Sequence, residues 1–236
     1  MGKNYREWSY SNVVNFYTKH RNKIEDLYES EKFFLPGILF PGVKVLDIGC
    51  AAGGFYNIMC NLQSKIEYVG IDISPLLIKK ARDKYPEVKF LTANAISLPF
   101  KKGEFNIVFS SGVFHMEPDY MKAIEEAYRV TNKFLLFDLR LTRYKGGFFY
   151  QKLVFERESN GPKAPYIVCN VDKIVSFLEN LNPKPLEIQV KGYYRKPSST
   201  AFVKYKKIYM AIFLIRKGHA GNYKTSFHFH FNLNKK

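Results

Sequence analysis

A chain of 236 residues is long enough for one sizeable core, or a core with a small appendage, and too short for two enzyme domains of ordinary size. Its 46% hydrophobic and 17% aromatic content excludes a largely disordered chain. The net charge of +16 is lopsided: residues 1–139 hold 18 Lys+Arg against 16 Asp+Glu, a balance of +2, and residues 140–236 hold 19 against 5, a balance of +14.

So basic a C-terminal region attracts an anionic substrate, a nucleic acid or a membrane surface, or is simply the solvated face of a lysine-rich chain. Met1 to Ser11 is polar and aromatic, and no apolar run reaches the roughly 18 residues that a membrane span requires. A cytoplasmic protein is therefore expected. Cys50, Cys60 and Cys169 suggest neither a disulfide framework nor a metal site.

In chain order, Asn12 to Leu35 reads as helical, with apolar patches among charges, and Pro36-Gly37 and Pro41-Gly42 read as turns. Short apolar runs then alternate with segments of helical period. The runs Val43–Ile48, Ile66–Asp72, Val88–Thr92, Phe105–Ser110 and Phe134–Leu141 are expected strands. Gly54–Leu62, Pro75–Tyr85 and Pro118–Val130 are expected helices, the second with Ser74 as N-cap. This is the pattern of a doubly wound α/β sheet. Tyr144–Pro165 reads as an irregular insertion; after it come a helix over Val171–Leu181, strands over Leu186–Tyr194 and Lys207–Arg216, and an edge strand within Ser226–Asn234. His228 and His230 fit that alternation without a metal.

The segment Val45-Leu46-Asp47-Ile48-Gly49-Cys50-Ala51-Ala52-Gly53-Gly54-Phe55 is a strand, a glycine turn and a helix start. Such a turn aims unpaired backbone N–H groups and the positive end of a helix dipole at a ligand above it. Asp72 ends the next strand 23 residues after Gly49, the spacing that sets a carboxylate where it can accept both hydroxyls of a ribose. A dinucleotide site wants glycine where Ala51 stands. Asp47, just before the turn, suits a ligand bearing an amine or a cation.

Together with Gly70-Ile71-Asp72-Ile73-Ser74, Asn94-Ala95-Ile96-Ser97-Leu98-Pro99-Phe100 and Phe105-Asn106-Ile107-Val108-Phe109-Ser110, this segment resembles the motifs of the class I S-adenosylmethionine-dependent methyltransferases of the small-molecule type. The similarity covers about a hundred residues, with Asn94 where the family usually has aspartate and Thr131-Asn132-Lys133 where it has Lys-Pro-Gly-Gly. It implies a Rossmann-like, mostly parallel seven-stranded sheet with helices on both faces and an antiparallel strand near the C-terminus. It further implies an N-terminal helical lid over residues 1–40, a methyltransferase domain over 41–236, and a substrate-side insertion at about 143–170.

Carried over by position, Asp47, Gly49, Cys50, Ala51 and Gly53 would surround the methionine part of S-adenosyl-L-methionine. Asp72 would take the ribose, Ile73, Asn94 and Ala95 the adenine, and Ser110 would offer a carbonyl near the methyl group. No metal is implied. His115, just beyond the fourth strand, is the candidate general base, since an imidazole near pKa 6.5 suits proton transfer; a locally bonded histidine is the alternative. Trp8, Tyr17 and Arg21 are candidate lid residues. The acceptor stays open: a small molecule, with the basic C-terminal region favouring an anionic one, or RNA read by Lys191, Arg195, Lys196, Lys204, Lys206 and Lys207 among Tyr193, Tyr194 and Tyr205. A catalytically silent protein that keeps the fold as an interaction module is the third reading.

Overall fold

In a computed structural model, residues 8, 10–153, 163–219, 221 and 224–230 are described. Five parallel strands are laid down first: β1 (Val43–Ile48), β2 (Ile66–Asp72), β3 (Lys89–Thr92), β4 (Phe105–Ser110) and β5 (Thr131–Thr142). Helices α3 (Gly54–Leu62), α4 (Pro75–Lys84) and α5 (Tyr120–Val130) cross between them. After a hairpin of β6 (Gly147–Lys152) and β7 (Lys163–Asn170), and then α6 (Val171–Glu179), come β8 (Glu187–Arg195), β9 (Ile208–Arg216) and β10 (Ser226–Phe229). The order across the sheet is β3-β2-β1-β4-β5-β9-β8-β10. β9 runs antiparallel to both β5 and β8, and β10 adds to β8 in parallel.

Period-2 alternation divides the sheet into two cores. Leu46, Ile48, Val108, Leu135, Phe137 and Leu139 pack on one face with α5 and α6. Val43, Val45, Tyr68, Ile107, Phe109 and Leu136 pack on the other against α3 and α4. That second face also receives α2 (Glu29–Ile38) through Phe34, Leu35 and Ile38. The chain steps outward through β2 and β3 and returns to β4. The carboxyl ends of β1 and β4 therefore flank the crevice where doubly wound sheets take their ligands.

Two regions differ from the sequence expectation. The N-terminal helical stretch breaks into α1 (Ser11–Lys19), a short 3-10 turn (Ile24–Asp26) and α2, with Pro36-Gly37 inside α2. Pro36 falls in the last turns of that helix, where its missing N–H removes a bond only just before Leu39 N–H closes the helix onto Leu35 O. The insertion is a regular antiparallel hairpin, β6 (Gly147–Lys152) with β7 (Lys163–Asn170), and the end of β7 pairs with the end of β5. Its backbones meet closely at Gly146, where a Cβ would lie 2.5 Å from Val168 O. Gly161-Pro162 lies outside the described residues. With this hairpin and β10 the sheet assembly numbers ten strands, where the family resemblance implied seven.

Candidate functional site

The glycine turn joins β1 to α3. Gly49 and Gly53 have φ of 79° and 80°, and Ala51 a φ of 48°, so the backbone passes three times through the left-handed region that glycine adopts freely and alanine at a cost. Space binds Gly49 as well as conformation: a Cβ there would lie 2.2 Å from Val113 Cγ2. Gly49 and Cys50 both donate to Ile71 O, at 2.8 and 2.9 Å, which pins the turn to the end of β2. Asp72 then accepts from Ala51 N at 3.0 Å and Ser74 N at 2.8 Å.

Two carboxyls therefore sit under the turn, Asp47 at 1% exposure and Asp72 at 9%. Asp47 accepts from the Tyr68 hydroxyl, which shares its face of the sheet. Burial pushes Asp47 up to about 7 against the opposing Tyr68 hydrogen bond, with Asp72 adding to the rise. Burial likewise pushes Asp72 up to about 6, opposed by the amides of Ser74, Ala51 and Ile73. No ion pair joins either to a cation among the described residues. Half-buried Ile73 follows, and Asn94 uses its Oδ1 to accept from Ile96 N at 3.1 Å, leaving a second lone pair. Ala95 packs against the core, and Ser110, fully buried at the tip of β4, donates its hydroxyl to Ile48 O at 3.2 Å.

The N-terminal segment lies across this turn. Val14 packs on Ala52 and Leu77, Val13 on Leu153 and Ala164, and Ser74 Oγ donates to Trp8 O at 3.1 Å. Tyr17 is half-buried near Asp72, Tyr28 and Arg140, and its hydroxyl is pushed well up by desolvation first and by the Asp72 charge second. Arg21 takes a left-handed φ of 60°. Its guanidinium stacks over Tyr28 at 4.1 Å and Phe55 at 4.9 Å, and its Nη2 donates to both oxygens of Glu31 at 2.5 and 2.6 Å. Glu31, with 0% exposure, also accepts from Ser111 Oγ at 2.7 Å and Tyr28 N at 2.7 Å. This one carboxylate ties α2, the preceding loop and the segment after β4 together.

Beyond β4 lies a second polar group that sequence reasoning missed. Asp138 and Arg140, on the face of β5 that carries Leu136, are 6% and 7% exposed and ion-paired; Asp138 Oδ1 also accepts from Gly112 N at 2.5 Å. The Arg140 charge holds Asp138 below the usual carboxylate range despite its burial. Two charges two residues apart in the apolar run Phe134–Leu141 were the available signal. Tyr28, Ser30, Asp138, Arg140, Tyr193 and Met210 are among the residues lining a narrow cavity here. Three buried nitrogens meet no partner among the described residues: Arg21 Nε, His115 Nδ1 and Arg140 Nε. An unpaired buried donor costs about 1–3 kcal/mol.

His115 is 4% exposed, with its ring edge-on to Tyr166 at 5.4 Å. Burial first and the Arg140 charge second push its pKa down to about 3, against Asp138. This corrects the expectation of an imidazole near 6.5: so weak a base is neutral across physiological pH and poorly suited to take a proton.

Three side chains of the basic aromatic stretch are engaged within the molecule, while Arg195, Lys196, Lys204, Lys206 and Lys207 are exposed. The Lys191 ammonium lies 4.4 Å from the Phe33 ring centroid, Tyr194 packs on Tyr209 at 3.7 Å, and Tyr205 bonds to Lys145 O and faces Tyr144.

Residues 46–134 match the family model described as a methyltransferase domain. That match covers 89 of the chain's 236 residues. It is 29% identical over 114 residues to a demethylmenaquinone methyltransferase of Lactococcus lactis, covering 46% of this chain and 45% of that protein. To a trans-aconitate 2-methyltransferase of Rhodopseudomonas palustris it is 24% identical over 119 residues, covering 50% and 44%. The chain thus spans under half the length of these curated relatives. An S-adenosylmethionine-dependent methyltransferase of Methanosarcina mazei has the same fold, with a TM-score of 0.57 at 20% identity, covering 81% of this chain and 98% of that one. No helix among the described residues is long and apolar enough to cross a membrane.

Proposed function

We propose that the chain transfers a methyl group from S-adenosylmethionine to a small-molecule acceptor. The observation that carries this reading is the pair of buried carboxyls under the glycine turn. Asp47 and Asp72 have proton affinities raised by burial and, among the described residues, no cation in an ion pair with them. An ammonium and a sulfonium are the charges such a site favours. Asp47 with the Gly49–Gly53 turn would hold the methionine end, Asp72 the ribose, and Ile73, Asn94 and Ala95 the adenine.

When bound, S-adenosylmethionine supplies an electrophilic methyl group. The chain contributes placement. The ends of β1 and β4, the Ser110 carbonyl and the lid residues Tyr17 and Arg21 would enclose and align the partners, an effect worth up to about 7–11 kcal/mol. The acceptor's lone pair forms the new bond to carbon as the sulfur–carbon bond breaks, and the acceptor's proton passes to solvent. The two relatives are named for different acceptors, a quinone and a carboxylic acid, yet share the matched segment. The acceptor is therefore read by the N-terminal segment and by residues beyond 134.

Calorimetric titration tests this. Wild-type protein should bind S-adenosylmethionine and S-adenosylhomocysteine, and Asp72→Ala should weaken both about ten- to a hundredfold, the worth of roughly 1.5–3 kcal/mol for hydrogen bonds to a charged group. Absent binding, or affinity unchanged by Asp72→Ala, would overturn it.

A further inference from the structure

We infer that Arg140 anchors a carboxylate group of the acceptor in the cavity at the end of β5; this rests on the methyl-transfer reading for the word acceptor, and on geometry for the rest. The Arg140 side chain is 8% exposed and gives Nη1 to Asp138, while its Nε meets no partner among the described residues. In a guanidinium, Nε–H and the neighbouring Nη2–H point the same way and span the two oxygens of a carboxylate. The edge left over by Asp138 is that fork.

The cavity that Arg140 lines is also lined by Tyr28 just before α2, Ser30 of α2, Tyr193 of β8 and the apolar Met210, Ala211 and Ile212 of β9, so three hydroxyl-bearing residues adjoin it. Two carboxylates nearby are already matched, while Arg195, bonded to the Tyr193 side chain, is in no ion pair among the described residues. Glu31 is paired with Arg21, Asp138 with Arg140, and His115 stands uncharged. Binding would rest first on two directed hydrogen bonds. That selects a planar monoanionic group over a phosphate ester, which brings up to two negative charges beside Asp138.

Register sets the reach. Ser110 pairs with Phe137, and Arg140 lies three residues further along the strand, about 10 Å at 3.3 Å per residue. Asp138, bonded to Gly112 N just past β4, fixes that separation. The acceptor's carboxylate should then sit several bonds from the atom that is methylated.

The test is a calorimetric panel on the full chain, saturated with S-adenosylhomocysteine and again without it. The probes are mono- and dicarboxylates of two to six carbons, their amides, and phosphate monoesters of matching size. At least one carboxylate should bind tenfold or more tighter than its amide. Arg140→Lys, which keeps the charge and loses the fork, should remove at least tenfold of that while S-adenosylhomocysteine affinity stays within about threefold. Should that variant not fold, Asp138→Asn combined with Arg140→Gln keeps the pair neutral and should show the same loss.

Equal binding of acids and amides, a preference for phosphate esters, or carboxylate affinity that survives both variants would overturn the assignment. Carboxylate binding without any S-adenosylhomocysteine binding would instead overturn the methyl-transfer reading and leave Arg140 as an anion anchor.

Discussion

A carboxyl whose pKa is higher in the folded chain than the roughly 3.9 it has unfolded takes up a proton on folding, so its contribution to stability is full below about pH 4 and is lost as pH rises through the folded value. Asp47 at about 7 and Asp72 at about 6 place that loss between about pH 4 and 7. Each tenfold change in proton affinity is worth about 1.4 kcal/mol, so the two together cost the protein without added nucleoside roughly a few kcal/mol by pH 8. Thermal unfolding should show the melting temperature falling across that window. Asp47→Asn, which still accepts from Tyr68, should flatten the fall, and S-adenosylmethionine should offset it above pH 7 while releasing protons on binding. An equally steep fall in Asp47→Asn would show that the acid limb lies elsewhere.

At the scale of elements, the N-terminal segment and the turn are fitted closely at one atom. A Cβ on Gly54 would lie 2.3 Å from Arg21 O, a backbone atom that cannot swing aside. Gly54→Ala should shift the loop that carries the Arg21–Glu31 pair, costing about 1–3 kcal/mol in urea unfolding and speeding tryptic cleavage at Lys19, Arg21 and Lys23. A variant as stable and as resistant as wild type would mean that this approach is not a constraint.

Such fits explain what the sequence did and did not disclose. β1, β2, β4 and α3 have the bounds read from their residues, because each is an apolar run or period closed by Gly, Asp or a change of period. The β6–β7 hairpin was hidden, because its support comes from elsewhere: Val13 from α1 on Ala164, and Ile208 and Met210 of β9 on Tyr166 and Val168. The Arg21–Glu31 pair spans ten residues across a broken helix, a spacing that no local pattern marks. Asn94 and Ala95 were legible as a motif; that Asn94 also braces its own turn through Ile96 was not.

Across the whole molecule, the two ends of the sheet are finished differently. At the β3 end, Arg82 on α4 donates through Nε and Nη2 to Phe90 O, at 2.9 and 2.6 Å. At the other, β10 lies along nine-residue β8, with Ser226 N donating to Leu186 O at 3.1 Å and His230 N to Val190 O at 2.8 Å. An open strand of that length, rich in tyrosine and β-branched residues, is a template for another chain. β10 covers Glu187–Val190 of that strand against such pairing. His228→Pro removes a backbone donor in its middle and should turn a concentration-independent sedimentation profile into one that drifts toward larger species as protein is added; an unchanged profile would show the edge harmless. On this view the histidine- and phenylalanine-rich strand near the C-terminus has a task unrelated to methyl transfer: it occupies part of the edge on which a second copy of the sheet would otherwise pair.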